Sequence, residues 1–113
     1  MNVVARISAV AMLSWVVMAP SLAADELPKY QLTIKAGRFT PETIEVAAGK
    51  KFVLVVKNEG PGPEEFESHD LKREKVVAEG KQIELPLGPL KAGTYKFVGE
   101  YHEATAKGQI VAK

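Results

Sequence analysis

Past Lys29 no stretch of the chain carries apolar residues at a helical period. The apolar runs are short and are cut by glycine or proline about every 8–12 residues, the spacing of strands in a sandwich. Tyr30, Leu32 and Ile34 alternate with Gln31, Thr33 and Lys35, a period of two. Ala36-Gly37-Arg38 then turns the chain, Thr43–Val46 reads as the next strand, and Ala48-Gly49-Lys50 closes it. Phe52–Val56 is continuously apolar and runs into Lys57, the pattern of a central, buried strand. Residues 58–63, Asn-Glu-Gly-Pro-Gly-Pro, break it. Further strands are expected over Glu64–Glu67, Glu74–Val77, around Ile83 and Leu85, over Thr94–Gly99 and over Gln109–Ala112, with Ser68–Arg73 irregular or a single helical turn. About seven or eight short strands of this kind predict an all-β, Greek-key β-sandwich. Its expected core is Leu32, Ile34, Val53, Val55, Phe66, Ile83, Leu85, Tyr95, Phe97 and Ile110.

The segment before these strands reads differently. Met1–Ala23 has an early cation, Arg6, an apolar run from Ile7 to Ala19, and small residues at Ser21 and Ala23. That is the layout of a cleaved secretory signal, and its apolar run is short for a bilayer span. The expected organisation is a signal peptide over 1–23 and one domain over 24–113, working in the periplasm with no membrane span in the mature chain.

Removing that leader takes away every Met and the Trp. It also removes Arg6, which brings the 15 basic residues down to match the 14 acidic ones. A neutral chain offers no electrostatic footprint for nucleic acid, and no polybasic run addresses a membrane surface. The chain has no cysteine, so thiol redox chemistry and disulfides are excluded. Stability must come from a packed core, with or without help from a bound metal.

Two segments gather metal-ligating side chains: Glu64-Glu65-Phe66-Glu67-Ser68-His69-Asp70 and Glu100-Tyr101-His102-Glu103. They hold both histidines of the protein. Imidazole with carboxylate suits Fe, Mn, Zn or Cu(II), while Cu(I) lacks a soft ligand. Each run also reads as an ordinary solvated loop. Ser68-His69-Asp70 names triad residue types, but sequence neighbours on an extended chain point apart. Gly60-Pro61-Gly62-Pro63 offers too few N–H groups to cradle a phosphate. Because alternate strand residues share a face, an inward Phe66 turns Glu64 inward too, leaving Glu65 and Glu67 outside to pair with Arg73 or Lys75. A buried Glu64 needs a metal or cation beside it.

The strand Phe52–Lys57 with Asn58-Glu59-Gly60 and then Glu64-Glu65-Phe66 resembles a cupredoxin segment. So does Leu90–His102, with its Ala-Gly-Thr-Tyr-Lys-Phe core, and Gly108–Val111 resembles the final cupredoxin strand. The resemblance implies a cupredoxin fold across Tyr30–Lys113. It sets Glu64 where cupredoxins have their first histidine ligand, Gly99 where they have cysteine, and His102 on the second histidine, with no methionine following. A blue-copper site is thereby excluded, and Gly99 frees room for a carboxylate from Glu64 or Glu100.

With Glu64–Ser68 and Gly99–Glu103 the chain is similar to small periplasmic cupredoxin-like proteins of bacterial ferrous-iron uptake systems, and to the cupredoxin-like domain of some iron permease partner proteins. That likeness implies binding of iron and its oxidation or delivery to a membrane permease. The expected ligands are Glu64, Glu67, His69, Glu100 and His102, with Tyr101 alongside. A copper(II) carrier using the two histidines and a metal-free interaction module are the alternative readings.

Overall fold

A computed structural model describes Ser14 and residues 26–113. Apart from Ser14, the leader expected over Met1–Ala23 lies outside the described residues. The strands are β1 (Lys29–Lys35), β2 (Arg38–Thr40), β3 (Thr43–Val46), β4 (Phe52–Asn58), β5 (Glu64–Ser68), β6 (Arg73–Val77), β7 (Gln82–Leu87), β8 (Gly93–Gly99) and β9 (Lys107–Ala112). Among the described residues the helical element is one 3₁₀ turn, Glu100–His102, and none is long and apolar enough to cross a membrane. Two sheets form, in the orders β2-β1-β4-β7 and β3-β9-β8-β5-β6. β1 runs parallel to β4 and β3 parallel to β9, while the other pairs are antiparallel. The chain crosses between sheets after β2, β3, β4, β6 and β7, so the all-β sandwich expected from the breaker spacing is the fold.

The core lies between the sheets. Leu32, Ile34 and Leu54 face Phe66, Phe97 and Ile110, all at most 1% exposed. Phe97 packs edge-on to Phe39 at a centroid distance of 5.0 Å and against Phe66 at 5.2 Å. A Cβ at Gly108 would stand 2.4 Å from the Phe97 ring, so β9 passes as bare backbone there.

Two local expectations are corrected. Val53 and Val55 are buried but belong to the outer face of β4. Phe52, Leu54 and Val56 enter the core instead. An unbroken apolar run has no alternation, so it carries no parity. Val53 and Val55 lie in register with Lys29 and Gln31 of β1 and with Pro86 and Glu84 of β7, and a 2.9 Å Lys29–Glu84 ion pair joins the two flanking strands. Secondly, Arg38 begins a strand rather than ending a turn. The β1–β2 reversal is made by Ala36 and Gly37, both at positive φ (48° and 69°), the geometry of a tight hairpin.

Asn58 connects this frame to the acidic segment. It is fully buried. Its amide donates to the carbonyls of Gly62 (2.8 Å) and Val77 (2.9 Å), and its Oδ1 accepts from Gly60 N–H (2.7 Å). The loop entering β5 is therefore pinned to the end of β4 and to β6.

Candidate metal centre

β5 lies between β8 and β6, and its alternation splits the acidic segment across the sheet. Glu64, Phe66 and Ser68 face inward, while Glu65 and Glu67 face outward. Ser68 anchors the following turn, donating to Lys96 O (2.6 Å) and accepting from Leu71 N–H (3.1 Å). That turn carries His69 into solvent, its side chain 91% exposed.

On the inner side, Glu64 is 2% exposed and its Oε1 lies 2.7 Å from His102 Nδ1. Its other oxygen, Oε2, is buried without a hydrogen-bond partner. That atom lies 3.6 Å from where a Cβ on Gly99 would sit. The same Cβ would stand 2.8 Å from Ala106 Cβ and 3.1 Å from Ile34 Cδ1, so apolar atoms wall the position. His102 is held by its turn: its carbonyl accepts from Ala106 N–H (2.7 Å), and Thr105 Oγ1 donates to Gly37 O (2.6 Å). Its ring lies over Gly37, where a Cβ would come within 3.0 Å.

On the outer side, Glu65, Glu74 and Glu100 bring one carboxylate oxygen each to within 4.8 Å of one another. They come from β5, from β6 and from the 3₁₀ turn. Glu67 stands opposite Glu74 in the β5–β6 register, and His69 Nε2 lies 3.4 Å from Glu67 Oε1. The expected pairing of Glu65 and Glu67 with Arg73 or Lys75 is not formed. Arg73 donates to Pro86 O at 3.2 Å, and among the described residues no lysine or arginine pairs with Glu65, Glu67, Glu74 or Glu100. Arg73 lies in register with inward-facing Ser68, so its side chain leaves β6 on the face away from the carboxylates.

The electrostatics follow. Glu65, 6% exposed, has its carboxyl pushed up to about 7, first by the hydrogen bond it shares with Glu74, then by burial and by Glu100. Burial and then the Glu100 charge raise Glu67, with His69 opposing. Burial, then the charges of Glu65 and Glu100, raise the Tyr101 hydroxyl. Protons hold together carboxylates that have no cation among them.

The five residues singled out in the sequence thus divide. Buried Glu64 meets the half-exposed His102 at the edge of the inner face; Glu67, His69 and Glu100 lie outside, where Glu65 and Glu74 join them. Glu74 was missed because only the β5–β6 register brings it across. The outer cluster is an oxygen set suited to hard cations; the inner pair offers one carboxylate and one imidazole. A thiolate copper centre does not fit: the chain has no cysteine, and Ala106 and Ile34 close on Gly99.

Comparison with known proteins gives three findings. The sequence pattern of the family described as a cupredoxin-like domain matches residues 8–112. An uncharacterized protein of Rickettsia prowazekii (strain Madrid E) is 40% identical over 92 residues, 81% of this chain and 74% of that protein. Among solved structures, the chain is similar to the metal binding domain of the Streptococcus pneumoniae Cu(I)-exporting P-type ATPase CopA with Cu(I). That match has a TM-score of 0.64 and 13% identity, covering 75% of this chain and 84% of that one. It is likewise similar to auracyanin A, a blue copper protein of Chloroflexus aurantiacus, with a TM-score of 0.64 and 12% identity, covering 75% and 98%. At such identities these two structures share the fold.

Proposed function

Because the chain belongs to the cupredoxin-like domain family, we propose that it is a periplasmic iron-binding protein that carries iron on carboxylates rather than copper on a thiolate. Glu65, Glu74 and Glu100 are the central ligands, with Glu67 and His69 at the rim, and iron is handed to a membrane iron permease, before or after oxidation. The observation that carries this reading is the convergence of three carboxylate oxygens within 4.8 Å, with no lysine or arginine among them. A multivalent cation relieves their repulsion and replaces the protons they share. Anionic oxygen ligands stabilise Fe(III) over Fe(II), which lowers the reduction potential and eases loss of one electron from bound Fe(II). The electron goes to an external acceptor.

The test is anaerobic Fe(II) titration of the metal-free protein, with Fe(II) oxidation then followed in air. Glu65→Gln, Glu74→Gln and Glu100→Gln are each expected to weaken binding about 10-fold or more, since even changes behind the ligands cost 10–100-fold. Parent-like binding in all three, or no measurable binding in the parent, defeats the reading and favours a metal-free interaction module.

A copper(II) carrier is the second reading. It is favoured by the His102 imidazole nitrogen at Glu64 Oε1, with the carboxylate's other oxygen, Oε2, unpartnered, and by the tighter binding of Cu(II) to N/O ligands. Copper-loaded protein is expected to lack an intense absorption near roughly 600 nm, because no thiolate is available. Metal analysis of protein taken from the periplasm decides between the metals.

A further inference from the structure

We propose that the Glu64–His102 pair is a latch that sets the geometry of the carboxylate cluster on the opposite face of the sheet, with His102 as its positioning residue. This rests on the reading of Glu65, Glu74 and Glu100 as the iron ligands.

Glu64 and Glu65 are consecutive on β5 and leave it on opposite faces. Glu100 and His102 share one 3₁₀ turn and do the same. The junction of β5 and the turn is therefore gripped on both sides: inside by Glu64 and His102, outside by Glu65 and Glu100. The backbone ladder to β5 adds little. β5 and β8 are in register only at Phe66–Gly99 and Glu67–Val98, so the ladder stops just before Glu100. The turn has no side-chain cap and buries none of its residues. On the outer face Tyr101 of the turn also hydrogen-bonds Glu65; on the inner face the polar side-chain tie to β5 among the described residues is the 2.7 Å contact of His102 Nδ1 with Glu64 Oε1.

The inner pair also has a feature that packing alone does not account for. Glu64 is buried with Oε2 unpartnered, an unfavourable place for a carboxylate. An apolar residue would fill the space beside Ile34 and Ala106 without that penalty, but it would leave His102 with nothing to hold. Without the latch, the turn holds Glu100 less closely to Glu65 and Glu74, and metal binding must first reassemble the ligands. Groups that orient ligands without touching the metal set affinity in this way.

Fe(II) titrated anaerobically, with Co(II) as a spectroscopic probe, tests the latch in the full chain. His102→Ala is expected to weaken Fe(II) binding about 10–100-fold. His102→Gln, whose amide still donates to Glu64, is expected to restore binding to within about 3-fold of the parent. At saturation it should also leave the Co(II) absorption spectrum unchanged, because the ligands are the same. Glu64→Leu replaces a buried charge with an apolar side chain, so it folds independently of the latch. It is expected to weaken Fe(II) binding as His102→Ala does.

The latch is overturned if His102→Ala and Glu64→Leu bind like the parent while Glu74→Gln and Glu100→Gln do not. It is also overturned if His102→Gln loses as much affinity as His102→Ala and shifts the Co(II) spectrum, for His102 is then itself a ligand. If Glu74→Gln and Glu100→Gln bind like the parent, the iron reading of the cluster fails and the latch falls with it.

Discussion

In the metal-free fold Glu65 keeps its proton well beyond the ordinary carboxyl range, up to about 7 against 4.5 for a free side chain, chiefly through the hydrogen bond it shares with Glu74. Between those values the folded state binds more protons than the unfolded chain, so this group's contribution to stability falls as pH rises through that window. The melting midpoint of the metal-free protein is expected to drop between roughly pH 5 and pH 8, and Glu65→Gln to flatten the drop and melt higher at the alkaline end. Equal slopes in parent and variant would contradict the shared proton. On the proposed iron reading, the metal displaces that proton, so its affinity is expected to run the other way and rise with pH across the same window. Gly99 is the second telling residue. Its φ of −89° suits any amino acid, yet an added Cβ would press on Ala106 at 2.8 Å and Ile34 at 3.1 Å. Gly99→Ala is therefore expected to destabilise by about 1–3 kcal/mol through overpacking alone, read from the urea midpoint. The inner pair was legible in the sequence because Phe66 fixes the parity of β5 and the family likeness aligns His102. The outer cluster was only half legible. Glu65 was visible as outward-facing, but the sequence assigns it a basic neighbour, and only the fold turns Arg73 toward Pro86.

At the scale of elements, breaker residues marked the strand ends well, because a glycine or proline ends a strand whatever packs around it. Parity was legible only where polar residues alternate. β1 and β7 were read correctly from their alternation, whereas the unbroken run of β4 left the choice between its two faces to register with its neighbours. β2 was hidden because the hairpin before it places an alanine at φ 48°, a conformation alanine seldom takes. The loop from β4 to β5 shows how one side chain replaces regular structure: Asn58 satisfies Gly60 N–H and the carbonyls of Gly62 and Val77 from a fully buried position. Asn58→Ala strands those groups and opens a small void, so a loss of about 2–4 kcal/mol is expected, with an unchanged denaturant slope. Because the same loop delivers Glu64 and Glu65 to the pole, metal affinity should fall in the variant as well. A variant as stable as the parent would mean that water takes over all three bonds.

For the whole molecule, the two sheets enclose one apolar core with no disulfide. The candidate centre sits at the pole where β5, β6 and the turn after β8 meet. β5 and β6 are neighbours in sequence, but the turn after β8 is distant from both, and the three carboxylates converge only in the folded state. An unfolded chain therefore has no such centre, and iron bound to it must act as a folding ligand. Free Fe(II) held at about 100 times its dissociation constant adds about 2.7 kcal/mol to stability. For a domain of this size that is a rise in melting midpoint of roughly 10–20 °C. The measurement is a pair of anaerobic melts with and without Fe(II), repeated after chelation, on the parent and on Glu65→Gln/Glu74→Gln. The parent should show the rise and lose it on chelation, and the double variant should show almost none. Mg(II) at the same concentration is a useful contrast, since it gives up its water shell reluctantly and wants octahedral oxygen. Three clustered carboxylates on a sheet face do not enclose it, so a much smaller shift is expected. An equal shift with Mg(II) would mean that the cluster responds to charge alone and has no preference for iron.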